Sequence, residues 1–219
     1  MTTERLPLFP LHTVLIPGTV LPLHIFEPRY QIMLRRVLAG DQRFGVVLIH
    51  DGSPDISLSA RTVDVGTVAE VTAVVPLDDG RSNISTTGRQ RFRVTRLYHD
   101  QPYLTGDVEL LSDEYVPSDR LRALFDEVQH VSRRYVITLL TLSREQVAHI
   151  RLPNDPVTLS YKIAGLLEHV LQPSERQRLL AAPGVEHRLY AELLVLRREL
   201  AILRRMGEMG DPGDRVSPN

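Results

Sequence analysis

The hydrophobic pattern of this chain changes period once, near Val116-Pro117-Ser118, and that change limits the fold more than any other feature. Before it, apolar residues alternate or run in short stretches, as strands require. Leu21, Leu23 and Ile25 alternate with Pro22, His24 and Phe26, Phe44 to Ile49 is nearly continuous, and Gly66 to Val75 is rich in Val and Thr. Asp78-Asp79-Gly80-Arg81 is a tight-turn signal, and Ile84 to Thr87, Arg91 to Tyr98 and Leu104 to Leu111 complete the extended set. One helix interrupts the strands. Pro28 suits its first turn, Tyr30, Met33, Leu34, Val37 and Leu38 share a face, and Gly40 is placed for a left-handed cap.

After the change the spacing is helical. Ser118 can cap a helix running towards Leu140, Ser143-Arg144-Glu145-Gln146 and Ser174-Glu175-Arg176-Gln177 fit the capping box, and Asp155-Pro156 is a cap followed by a first-turn proline. Leu189, Leu193, Leu196, Leu200 and Leu203 form a heptad seam on a last helix from Val185 to Met206, roughly 33 Å long. The expectation is an α+β protein. Residues 1–116 form an antiparallel, barrel-like β domain with one inserted helix, 117–206 form a helical bundle ending in a long helix, and 207–219 form a frayed tail.

Composition narrows the chemistry. A net charge of −1 over 219 residues argues against bulk attraction to nucleic acid or to an anionic membrane. The chain has no cysteine, which removes disulfides, zinc-thiolate sites and thiol catalysis. Lys162 is the sole lysine, so a phosphate-binding or catalytic lysine must be this one, and the helical spacing from Leu159 to Val170 places it on a solvated helix. No phosphate loop and no Gly-x-Ser-x-Gly elbow occurs, and the 8 histidines show no metal-ligand spacing. No enzyme, cofactor or metal is therefore expected. The start of the chain is not a secretory signal and no apolar run spans a bilayer, which gives the expectation of a cytoplasmic protein.

Two charged motifs invite a functional reading. Glu27 and Arg29 flank the start of the first helix, where a cap and a local ion pair explain both. Arg89, Arg91 and Arg93 alternate, so on a regular strand they share one solvated face. Such a stripe suits phosphates or an acidic peptide, but no aromatic residue lies on that face to stack bases.

Leu6-Pro7-Leu8-Phe9-Pro10-Leu11, Ile16-Pro17-Gly18 and the run Leu21-Pro22-Leu23-His24-Ile25-Phe26-Glu27-Pro28-Arg29-Tyr30 together resemble the start of the Lon protease N-terminal domain. Phe44-Gly45-Val46-Val47-Leu48, Gly66-Thr67-Val68-Ala69-Glu70-Val71, Gly88-Arg89-Gln90-Arg91-Phe92 and Leu152-Pro153-Asn154-Asp155-Pro156 continue the resemblance in order. It implies a PUA-like pseudobarrel followed by a helical bundle, and a module that engages substrate polypeptides for a protease or chaperone system. A full Lon protease continues into ATPase and Ser-Lys peptidase modules, and this chain reaches Asn219 without room for either. The expected function is therefore non-enzymatic polypeptide binding, through apolar surface at or near the junction of barrel and helices. Phe26, Tyr30, Arg89, Arg91 and Arg93 are the candidate contacts. The alternatives are an RNA-binding PUA-like protein using the arginine stripe, and a hydrolase with a dispersed active site.

Overall fold

A computed structural model of the chain describes residues 3–49, 63–143 and 150–209, with the side chains of 207–209 left aside. Its strands are β1 (Thr3–Leu11), β2 (Val20–Ile25), β3 (Arg43–Leu48), β4 (Val65–Pro76), β5 (Ser82–Tyr98) and β6 (Thr105–Leu110). Its helices are α1 (Pro28–Ala39), α2 (Asp119–Leu142), α3 (Pro156–Leu166), α4 (Pro173–Leu180) and α5 (Val185–Met209), with a 3-10 turn at Leu167–His169. The protein is thus α+β. The expected box at Ser143-Arg144-Glu145-Gln146 lies mostly outside the described residues, as do residues 210–219 of the expected tail, while 207–209 continue α5.

The chain divides into two compact units. One comprises Met1–Asp113 with Ala164–Ala181, the other Glu114–Ile163 with Ala182–Asn219. The first division falls close to the change of period. Residues 164–181, however, belong with the strands although their spacing is helical. The reason is a set of long polar side chains. The Arg176 guanidinium donates to the Val14 carbonyl (2.6 Å), to Thr13 Oγ1 (3.3 Å) and to Glu168 (3.1 Å), and Gln177 Nε2 donates to the Val65 carbonyl (2.9 Å).

In the strand-bearing unit the order is β2-β5-β4-β3-β1-β6, and β5 also pairs with β6. The sheet is mixed, not antiparallel as expected, because β1 and β3 run parallel in the register Leu8↔Gly45 to Leu11↔Leu48. Parallel neighbours need a crossover, and α1 lies on the connection between these two strands. Two apolar clusters hold the unit. Leu6, Leu8, Val47, Val68, Phe92 and Val108 bring together β1, β3, β4, β5 and β6. Gly45 and Gly66 make room for the Phe92 ring there: a Cβ at Gly66 would sit 2.4 Å from the Val46 carbonyl oxygen. The second cluster joins Phe9, Ile25, Phe44 and Ile84 to the α1 face of Tyr30, Met33, Leu34 and Val37.

Ile84–Thr87 and Arg91–Tyr98, expected as separate extended segments, are one 17-residue strand, since no turn residue in the left-handed region breaks them. Gly40 does not provide the left-handed cap expected of it. Its φ is −111°, and Gln42 takes the positive φ of 61° two residues later. The turn at Asp78–Arg81 forms as read, with Gly80 at φ 81° and the Leu77 N–H on the Arg81 carbonyl (2.8 Å).

In the other unit Ser118 caps α2 through the Leu121 N–H (3.1 Å), and Asp155 caps α3 through the Thr158 N–H and hydroxyl (2.7 and 2.8 Å). Helices α2 and α5 pack in parallel, tied by Arg120–Glu186 near their starts and Glu127–Arg197 further along. Leu189, Leu193, Leu196 and Leu200 of the seam are buried. Beside them, Arg188 and Glu192 are also fully buried: Arg188 Nε donates to Ser160 Oγ (2.5 Å), which donates to Glu192 Oε1 (3.0 Å). Capping at α4 falls on Gln172, whose N–H reaches Glu175 (2.9 Å), two residues before the expected Ser174.

Candidate functional site

Period two along β2 separates a core side from an open side. Ile25 is buried, and Leu21 and Leu23 pack on the α1 cluster. Val20, Pro22 and His24 point the other way and are exposed. The register carries this open side across two neighbours: His24 lies opposite Asn83 and Asn83 opposite Val75, while Pro22 lies opposite Ser85 and Ser85 opposite Ala73. Small side chains in the middle rows leave a shallow depression of about 340 Å³, lined by Pro22, Leu23, His24, Ala73, Val75 and Asn83, with Ile84 and Ser85. Its surroundings are apolar and solvated at once. Val20 is 64% exposed, Phe26 58% and Val75 57%.

His24 orders this face. Its Nδ1 lies 2.7 Å from Asn83 Oδ1, and its ring stacks on Phe26 (5.8 Å between centroids, 21° between planes). Phe26 follows β2 immediately and precedes α1, so the strand-to-helix turn fixes its place. That turn is braced by Glu27, whose carboxylate accepts from Arg29 Nε (2.9 Å). Glu27 is the α1 N-cap residue, but its side chain caps no N–H and serves the ion pair instead.

The other expected contacts do not converge here. Tyr30 is only 4% exposed, its ring 4.2 Å from Phe9, and burial pushes its hydroxyl pKa up. It is a core residue, because position 30 faces the sheet one turn into α1. The arginine stripe does not form one solvated face. A β-bulge sets Thr67 opposite Arg91 but Ala69 opposite Gly88, so β5 carries an extra residue and Arg89 falls out of alternation, while Arg91 and Arg93 stay in register opposite Thr67 and Val65. Arg89 is exposed and paired with both oxygens of Glu70 (2.9 and 3.0 Å), which holds that carboxyl below the usual range. Arg91 is 2% exposed. Its guanidinium donates to the Leu180 carbonyl (2.7 Å) and to Asp113 (2.7 Å), covered by the 164–181 segment. Arg93 remains exposed.

A second cleft, of about 270 Å³, is lined by Arg5, Arg36, Arg43, Asp41, Asp100 and Tyr103, among others. Arg5 pairs with Asp100 (2.9 Å), Arg43 pairs with Glu4 (3.3 Å) and Asp41 (2.7 Å), and Arg36 donates to the Tyr103 hydroxyl (3.4 Å) and Gln101 Oε1 (3.5 Å). Lys162 is exposed on α3. Among the described residues no group of His, Asp or Glu has the arrangement of a metal site, and no helix is long and apolar enough to cross a membrane.

The sequence motif singles out Phe26 on this face, whereas Val20 and Val75 join it only through the pairing of β2 with β5 and of β5 with β4.

Comparison with known proteins places this geometry. The model of the "ATP-dependent protease La (LON) substrate-binding domain" matches residues 5–198. Lon protease 2 of Sorangium cellulosum is 27% identical over 205 residues, covering 92% of this chain and 25% of that protein. Lon protease 1 of Thermus thermophilus is 29% identical over 200 residues, covering 90% and 25%. The chain thus spans about a quarter of the length of these relatives. Among solved structures, a Lon N-terminal domain protein from Xanthomonas campestris aligns with a TM-score of 0.60 at 26% identity, over 88% of this chain and 98% of that one. The N-terminal domain of the Mycobacterium avium complex Lon protease shares the fold, with a TM-score of 0.61 at 18% identity over 90% and 98%. With a match running from Arg5 to Arg198, this chain belongs to the Lon substrate-binding domain family.

Proposed function

We propose that this protein is a non-enzymatic module that binds exposed apolar segments of other polypeptides and presents them to a protease or chaperone system, through the open face of β2, β5 and β4. The observation that carries the reading is the solvated apolar surface of Val20, Phe26 and Val75 around an uncharged depression, in a chain of a substrate-binding family. Apolar side chains at such exposure gain most when a partner removes them from water, at about 25 cal/mol per Å². The cycle of pairings β1–β3–β4–β5–β6–β1 around the Phe92 cluster supports reading the unit as a PUA-like pseudobarrel, on which β2 is an added outer strand. The cytoplasm, where such systems meet unfolded chains, is the proposed location.

The nucleic-acid reading loses its basis with the arginine stripe, since Arg91 is enclosed and Arg89 is neutralised by Glu70. The test is fluorescence anisotropy with a permanently unfolded, carboxymethylated polypeptide. Val20→Asp with Val75→Asp should weaken binding by at least tenfold and leave the melting temperature in place, because both residues are exposed. Binding by the parent should change little between 50 and 200 mM salt, whereas phosphate binding would weaken steeply. Unchanged affinity in the double variant refutes the assignment of the face.

A further inference from the structure

The open face ends in a terminal strand of the sheet. Strand β2 stands at the end of the strand order, and β5 is its one partner among the described residues. The six residues of β2, all paired with β5 on one side, present an outer edge of about 20 Å that has no strand partner among the described residues. Pro22 contributes no N–H, so pairing along this edge rests on its neighbours, and the missing donor favours a short ligand over an indefinite sheet. A chain laid against this edge would continue the rows that already cross the sheet, His24–Asn83–Val75 and Pro22–Ser85–Ala73.

We infer that the ligand is bound by strand addition: an extended, uncharged, apolar polypeptide segment pairs its main chain with the outer edge of β2 and sets alternate side chains beside Val20, Pro22 and His24. This rests on the proposed polypeptide-binding reading of the same face and specifies its substrate class. Charge selects the occupant. The side chains lining the depression include no Asp, Glu, Lys or Arg, and the flanking charges are occupied, Glu27 with Arg29 and Asp79 with Arg81. A charged side chain entering there would lose water without gaining a partner. Main-chain pairing supplies affinity that does not depend on sequence, while the alternate side chains supply the preference for apolar residues. A recognition module that must accept many unfolded chains needs that combination.

The test uses synthetic ten-residue peptides of alternating Val and Ser, labelled for anisotropy, against the full chain. Two further peptides carry backbone N-methyl groups, one on the Val positions and one on the Ser positions. The alternating pattern fixes the register, because a slip of one residue exchanges the faces. Strand addition predicts that one methylated peptide binds within about twofold of the parent and the other at least tenfold more weakly, since alternate N–H groups point towards β2 and away from it. Replacing a central Val by Asp or by Arg should weaken binding to a similar degree. Equal affinities for the two methylated peptides would overturn strand addition while leaving polypeptide binding at the face intact. No binding of the parent peptide, together with no binding of the unfolded polypeptide, would overturn both. Sedimentation under the same conditions checks for a second copy on the edge: a dimer that the peptide dissociates would make the second copy the natural occupant and refute the choice made here.

Discussion

Replacing Arg91 by Ala separates a buried tether from a surface charge. The side chain is 3% exposed and the partner Asp113 carboxylate 18%, so both lie largely out of water. The substitution orphans the Leu180 carbonyl, at about 1–3 kcal/mol. It also removes the Arg91 guanidinium from Asp113, a loss moderated by the carboxylate's residual exposure. Breaking a buried pair costs about 3–5 kcal/mol in general, and about 3–4 kcal/mol fits this geometry. For a chain of this size each kcal/mol lowers the melting temperature by about 2–4 °C, so a fall of about 6–16 °C is expected. The comparison is Arg89→Ala on the same strand, where the pair with Glu70 lies at the surface, the side chains 50% and 39% exposed, and the melting temperature should stay within replicate scatter. Circular dichroism reads the melt, and hydrogen exchange over 173–180 reads the tether, which should open faster in Arg91→Ala. Adding Asp113→Asn to that variant should recover part of the loss, because a partly buried charge that has lost the Arg91 guanidinium is removed. If Arg91→Ala melts with Arg89→Ala and exchange at α4 is unchanged, the tether argument is wrong.

Gly66→Ala should fail to accumulate as folded protein, or lose more than about 3 kcal/mol, because its methyl meets the Val46 carbonyl oxygen at 2.4 Å and the Phe92 ring at 2.6 Å; a soluble-fraction assay with a melt checks it. Leu196→Ala should cost about 2–5 kcal/mol in denaturant titration, since the side chain is fully enclosed, and Leu196→Asp should abolish the folded monomer; a stable monomeric Leu196→Asp would contradict the packing. Burial raises the Glu192 carboxyl well above the ordinary 4.5, with Arg188 and the Ser160 hydroxyl opposing. The folded state therefore keeps a proton that the unfolded chain releases, and this contribution is complete below about pH 4.5 and lost as pH rises through the folded-state value. Glu192→Gln should accordingly gain stability relative to the parent at pH 8 compared with pH 5, by denaturant titration, and a difference independent of pH would count against it.

Local rules carried a large part of this fold. Alternation located β2, Val and Thr enrichment located β4, the i, i+3, i+4 spacing of Tyr30, Met33, Leu34 and Val37 gave the buried face of α1, and the heptad leucines gave the core side of α5. Local signals also placed the caps at Ser118 and Asp155. The misses share a cause, which is that a distant segment decided the outcome. Alternation made Arg91 solvated, but the return of 164–181 enclosed it. Helical spacing assigned 164–181 to the bundle, yet Arg176 and Gln177 bind it to carbonyls of Val14 and Val65, more than a hundred residues away in sequence. The buried network of Arg188 and Glu192 depends on Ser160 of another helix, which no spacing within α5 reveals. The parallel pairing of β1 with β3 likewise follows from a crossover that no strand signal contains. At the candidate site, Phe26 stood out by its motif, whereas its neighbours Val20 and Val75 become one surface with it only through the β2–β5–β4 register.

The most direct measurement of the central claim is a hydrogen-exchange footprint of the full chain with and without the carboxymethylated polypeptide at saturating concentration. Binding at the open sheet face predicts slowed exchange along β2, from Val20 to Ile25, and at the outer end of the β4–β5 hairpin, with α2 and α5 unchanged. Protection confined to the helices, or none under conditions where anisotropy shows the complex, would contradict it.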